Sequence, residues 1–216
     1  MSVKTLIRQF LVIAGLASLA AGATLVIQGE IDRRQGDEKF EQAQQVLRES
    51  IDVVGEAESN SPQTTTPGES SNPAATSDPT AGGRAIARFE IPKIDLDVVA
   101  VRYGRYADLE IGLGWMPESA PVGTPGTSIV VGHRTLFGSP LRRSDELQQG
   151  DTFTVTLASG ELLEYVIKRT SIRRPSDSFS DLIAESSVTR LVLVTCHPED
   201  STEFRLLVVA DVVASA

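Results

Sequence analysis

The residues of this 216-residue chain with the types to do covalent chemistry are one cysteine, two histidines and an arginine beside an apolar run. Cys196 ends Arg190-Leu191-Val192-Leu193-Val194-Thr195, and Arg205 lies at the start of Phe204-Arg205-Leu206-Leu207-Val208-Val209-Ala210. A thiol attacks a carbonyl only as thiolate. With ordinary pKa values of about 8.5 for Cys and 6.5 for His, roughly 3% thiolate and 24% imidazolium at pH 7 leave the ion pair at only about 1%. A partner for the thiol therefore matters. His197 adjoins Cys196, but neighbours on a strand point to opposite faces, so His133, at the end of Ser128-Ile129-Val130-Val131-Gly132, is the better placed histidine. Thiol acyl transfer would use Cys196 as nucleophile, His133 as general acid and base, and Arg205 as donor to a carbonyl oxygen gaining charge. A guanidinium suits that task because it stays charged and holds its donors in a fixed fork.

Each residue has a plainer reading. A lone cysteine is commonly a buried inert thiol, and His133 could be a hydrogen-bonded core residue. Arg205 could pair with Glu203 or Asp200, although exposed pairs are usually worth less than about 1 kcal/mol. Thr195 is a candidate substrate contact, but β-branched residues are at home in any strand.

Short β-rich runs must position these groups. Alternation predicts a strand over Ala85–Ile91, stopped by Pro92, and another over Leu96–Val101. A short helix is expected around Tyr106–Leu113, then a Gly- and Pro-broken loop leads to the histidine strand. Leu141–Leu147 reads as a short helix, and Thr152–Leu157 with Leu162–Thr170 as a hairpin around Ala158-Ser159-Gly160. The polar stretch 172–188 has a weak helical signal at Phe179–Ala184, and the strands Leu191–Thr195 and Phe204–Val213 close the set. Trp115 is expected to pack an end of the fold. Seven or eight strands with short helices in the loops suggest a closed or nearly closed β-barrel.

Composition narrows the function. A net charge of -9 supplies no basic stripe, so nucleic acid is not an expected partner. One cysteine excludes an internal disulfide and a Cys-rich zinc site, and no metal-ligand spacing appears, so no metal or other cofactor is expected.

The first 83 residues have a different character. Residues 1–8 carry Lys4 and Arg8, and 9–28 are uncharged and largely apolar, about the length that spans a bilayer as a helix. A cleaved signal peptide with Ala21-Gly22-Ala23 as its processing site is the competing reading; the apolar run continues beyond that point, which favours the anchor. Residues 29–55 are rich in helix formers, with a thin apolar stripe of Phe40, Ala43, Val46 and Leu47, and read as a solvated juxtamembrane helix. A partner-binding helix is the sharper alternative. Residues 56–83 hold little that can be buried and are expected to be a disordered linker, a coil with its ends about 30 Å apart. Residues 84–216 form the folded domain.

Three local words carry a family resemblance. Val131-Gly132-His133-Arg134-Thr135, Leu193-Val194-Thr195-Cys196-His197-Pro198 and Phe204-Arg205-Leu206-Leu207-Val208 resemble the sortases, cysteine transpeptidases that attach exported proteins to surface amines. The resemblance runs from about Ile86 to Val213, including Ile91-Pro92-Lys93-Ile94 and the approach from Pro117 to Gly126. The family's Thr-Leu-x-Thr-Cys word stands here as Val192-Leu193-Val194-Thr195-Cys196, a near-isosteric change at its first position. The short turn between Cys196 and Arg205, with the Gly-His-Arg-Thr word, is most similar to classes D and E. The resemblance implies an eight-stranded barrel behind a membrane anchor and a flexible stalk, with the catalytic domain outside the cell membrane. It implies protein substrates with a C-terminal Leu-Pro-x-Thr-Gly-like signal and an amine acceptor. The family's signal pocket forms where 172–188 lies, which makes Phe179, Leu182 and Ile183 expected substrate contacts.

Overall fold

The structure is a computed structural model, and it describes residues 28–51, 84–177, 182 and 187–213. Eight strands form a closed barrel: β1 Ala85–Ile91, β2 Leu96–Arg102, β3 Leu113–Trp115, β4 Gly126–Val131, β5 Thr152–Leu157, β6 Leu162–Arg173, β7 Thr189–His197 and β8 Phe204–Val212. Around the barrel the order is β1-β2-β3-β4-β7-β8-β6-β5, with β5 pairing back onto β1. The β2–β3 and β4–β7 pairs are parallel and the rest antiparallel. Closure gives every strand two neighbours and leaves little open edge to template association.

Alternating side chains fill the interior. Phe89, Ile91, Leu113, Tyr165, Ile167, Leu191 and Leu193 belong to one buried cluster. The opposite faces of β4, β7 and β8 carry a second cluster of Ile129, Val192, Val194, Leu207 and Val209. These strands are therefore covered on both sides, which is why they read as nearly continuous apolar runs.

The expected strands are present, and β6, β7 and β8 differ from expectation by only a few residues. Tyr106–Glu110 forms a 3-10 turn, shorter than the helix expected to reach Leu113, and the expected helix at Leu141–Leu147 is a 3-10 turn over Ser144–Glu146. Strand β3 was hidden because Leu113-Gly114-Trp115 is short and glycine-bearing, and it forms only against β2 and β4. Trp115 packs against the main cluster, and its indole N–H donates to the Ala120 carbonyl at 2.9 Å.

Residues 28–51 form a helix, α1, that packs on the barrel. Its buried face is Phe40, Gln44 and Ile51, whereas Val46 of the expected stripe is 66% exposed. Strand β3 pairs with only the last three residues of β2, leaving the backbone at Asp97 and Val99 open on that side. Helix α1 covers the opening. Val99 N–H donates to Gln44 Oε1 at 2.5 Å, and Gln44 Nε2 donates to the carbonyls of Val99 at 3.3 Å and Ile111 at 2.5 Å. One turn on, Arg48 donates to the Asp97 carbonyl at 2.5 Å. A Cβ at Gly112 would collide with the Val99 carbonyl and the Gln44 amide, so a glycine is needed there. The helix is thus not solvated all round.

No helix among the described residues is long and apolar enough to cross a membrane. Apart from Gln28, the expected anchor at 9–28 lies outside the described residues, as do the expected linker at 56–83 and residues 52–55.

Candidate active site

The register of three adjoining strands brings the candidate residues together. Val131 of β4 pairs with Val194 of β7, and two residues further along each chain come His133 and Cys196. On the other side of β7, Cys196 pairs directly with Arg205 of β8. With a period of two, residues 129, 131 and 133, residues 192, 194 and 196, and residues 205, 207 and 209 share the outer face of the barrel. The second apolar cluster thus leads to three chemically able side chains.

A cleft of about 570 Å³ opens there, lined by His133, Cys196, Thr195 and Arg205. Val131, Val194 and Met116 give it an apolar floor continuous with the second cluster, and Tyr103, Tyr106 and Leu109 stand at one wall. Arg33 of α1 also reaches its rim. Among the described residues no group of His, Cys, Asp and Glu is arranged to hold a metal ion.

His133 is half-buried between rings. Tyr106 meets it edge-on at 5.4 Å between centroids, and Phe137 lies tilted at 5.2 Å. Its Nε2 has no hydrogen-bond partner among the described residues. Burial holds its pKa below the ordinary histidine value, with the Glu110 carboxylate opposing that shift. The imidazolium is therefore scarcer at pH 7 than in a free histidine.

Cys196 is a free thiol and is half-buried. Arg205 makes no ion pair with Glu203 or Asp200; its Nη1 donates to the carbonyls of Thr202 at 3.0 Å and Phe204 at 2.9 Å. Thr195 is buried, and its hydroxyl donates to the Gly132 carbonyl at 2.9 Å, tying the cysteine strand to the residue before His133.

Arg134 was not singled out from the sequence. It is 2% exposed, pairs with Asp145 at 2.7 Å, and directs Nη1 toward the Cys196 carbonyl and His197 Nδ1, each at 3.4 Å. Its meaning depends on where Asp145 and the end of β7 fall, and no local spacing signals that. His197 faces away from the cleft, into a separate hollow with Asp145, Thr170 and Ile172.

The expected contacts in 172–188 fare differently. Leu182 is 2% exposed, belongs to the second apolar cluster with Val192 and Val194, and is not among the residues lining the cleft. It packs against the outer face of β7. Phe179 and Ile183 lie outside the described residues.

A closed β-barrel with a thiol, an imidazole and a guanidinium on adjoining strands has the make-up of a cysteine-dependent barrel enzyme. The family model of the sortase domain matches residues 89–213, more than half of the chain. The chain belongs to the sortase family. It is 32% identical over 117 residues to sortase D of Bacillus subtilis (strain 168), a match covering 54% of this chain and 56% of that relative's length. Among solved structures, a Clostridium perfringens sortase D5 transpeptidase superposes with a TM-score of 0.60 at 20% identity, over 82% of this chain and 99% of that one. A lid mutant of sortase A from Corynebacterium diphtheriae gives 0.58 at 23% identity, over 79% of this chain and 95% of that one. At these identities the two structures speak for the fold.

Proposed function

We propose that the protein is a membrane-anchored cysteine transpeptidase. It cleaves a Leu-Pro-x-Thr-Gly-like sorting signal between Thr and Gly and passes the acyl group to an amine. The observation that carries this reading is the meeting of Cys196, His133 and Arg205 in one cleft above an apolar floor. Leucine and proline side chains suit that floor.

The Cys196 thiolate attacks the threonine carbonyl carbon, and the oxygen that takes up the electron pair receives N–H donors from Arg205. As the C–N bond breaks, His133 as imidazolium gives its proton to the departing glycine amine, leaving a thioester on Cys196 and a neutral imidazole. An acceptor amine then attacks the thioester. His133 takes the amine's proton, a new amide forms, and the thiolate leaves.

Residues 9–28 as anchor, supported by their uncharged apolar run, are part of the same proposal. The placement of the barrel outside the membrane leans on membership of the sortase family, since Arg33, Arg34 and Lys39 follow the run as Lys4 and Arg8 precede it. Incubation with a panel of sorting-signal peptides, followed by mass spectrometry, tests the chemistry. The expected product is an acyl adduct on Cys196 that an added amine converts to a ligated peptide. Release of free acid only, with the amine present, would mean a hydrolase. No adduct with any peptide, together with a thiol inert to iodoacetamide at neutral pH, would mean a binding barrel.

A further inference from the structure

The loop after His133 has a backbone that its own sequence does not favour. Phe137, Gly138 and Ser139 have φ values of 49°, 72° and 50°, so two side-chain-bearing residues occupy the left-handed region beside a glycine. Bulky residues adopt that region at a cost and remain there only where surrounding contacts hold them. Leu141 N–H donates to the His133 carbonyl at 3.1 Å and closes the loop at its base. Its tip is held by α1.

Two contacts do the holding. Gly138 N–H donates to Asp37 Oδ1 at 2.7 Å. The Phe40 ring lies under Gly138 so closely that any side chain there would collide with it. A Cβ at Gly36 would meet Phe137 Cδ1 at an ordinary van der Waals distance, so the helix backbone passes just beyond that ring. Phe137 in turn packs on His133. Because His133 Nε2 has no hydrogen bond to hold it, its ring is oriented largely by Phe137 and Tyr106. Arg33, one turn before Asp37, reaches the cleft itself.

We propose that α1 is a positioning element of the active site: Asp37, with Phe40 behind it, holds the strained 137–139 loop so that Phe137 fixes the ring of His133. Asp37 is a positioning residue, acting through the loop and not on substrate. The proposal rests on the reading of His133 as the proton carrier for its effect on rate, but not for its effect on the ring.

The test uses the full chain in detergent micelles with 13C at histidine Cε1. Only two histidine resonances arise, and His197→Gln assigns them. Asp37→Ala is expected to shift or broaden the His133 resonance while His197 stays in place. Asp37→Asn is expected to restore it, because the amide oxygen accepts the same Gly138 N–H. In the transpeptidation assay Asp37→Ala should lower kcat by about tenfold to a hundredfold with KM within about twofold, as misplacement of a catalytic group does. Should Asp37→Ala fail to fold, Phe40→Leu is read at the same resonance, with the same shift expected. An unmoved His133 signal in the folded variant, or an Asn variant as perturbed as Ala, overturns the proposal. A moved resonance in a protein whose wild type ligates no peptide would instead leave the positioning intact and remove the transpeptidase reading.

Discussion

Cys196 and Arg205 are register partners across β7 and β8, so both side chains leave the outer face of the barrel from neighbouring positions and line one cleft. Two backbone carbonyls orient the guanidinium through one nitrogen. Lysine cannot reproduce that arrangement, because an ammonium on a flexible stem lacks the planar fork. Arg205→Lys is expected to fold with an unchanged denaturation midpoint and to lose on the order of a hundredfold in kcat/KM, the scale of a missing oxyanion donor. Peptide cleavage at the wild-type rate would remove Arg205 from the chemistry.

His133 gives a pH signature with a definite sign. Its folded-state pKa lies below the ordinary 6.5 because burial disfavours the imidazolium. Below about pH 6.5 the unfolded chain binds the proton first, so folding stability falls as pH drops through that window until the folded state also protonates. His133→Gln should flatten this part of the stability profile. Urea midpoints at pH 7.5 and pH 5 provide the check. A midpoint that falls equally in the variant and the wild type would assign the acid sensitivity to the carboxylates.

Thr195 ties the strand that carries the thiol to the turn that carries the imidazole, through one bond to the Gly132 carbonyl. Thr195→Val keeps the shape and leaves that carbonyl without its partner, at a cost of about 1–3 kcal/mol. Activity should fall severalfold, and Thr195→Ser should recover most of it. Should the valine variant keep both its stability and its rate, the bond has no positioning role.

The parts of the molecule legible in sequence were those governed by short-range pattern. Alternation along 85–91, 152–157 and 162–170 marked half-buried strands, and the apolar runs before Cys196 and after Arg205 marked strands covered on both faces. Opposite-facing neighbours on a strand were enough to separate His197 from His133. What escaped notice depended on partners distant in the chain. Strand β3 exists only between β2 and β4, and Arg134 has meaning only once Asp145 and the end of β7 surround it. The docked face of α1 was concealed for a chemical reason. It meets an open strand edge, so its central residue is a glutamine, whereas Val46 of the apolar stripe faces solvent.

That glutamine supports a stability prediction. Gln44 is fully buried, and its amide both accepts from and donates to the backbone of Val99, as a neighbouring strand would. Its Nε2 also donates to the Ile111 carbonyl. Gln44→Leu has about the right volume but strands a buried N–H and the carbonyls it had served, each worth about 1–3 kcal/mol when left without a partner. The expected loss is about 3 kcal/mol or more, a large share of the 5–15 kcal/mol typical of a folded domain. Gln44→Glu would bury a carboxylate against the carbonyls of Val99 and Ile111, so at neutral pH its cost should exceed that of leucine. Equilibrium urea unfolding of the three proteins orders them. A leucine variant within about 0.5 kcal/mol of wild type would mean that the Gln44 hydrogen bonds add nothing beyond what apolar burial at that position supplies.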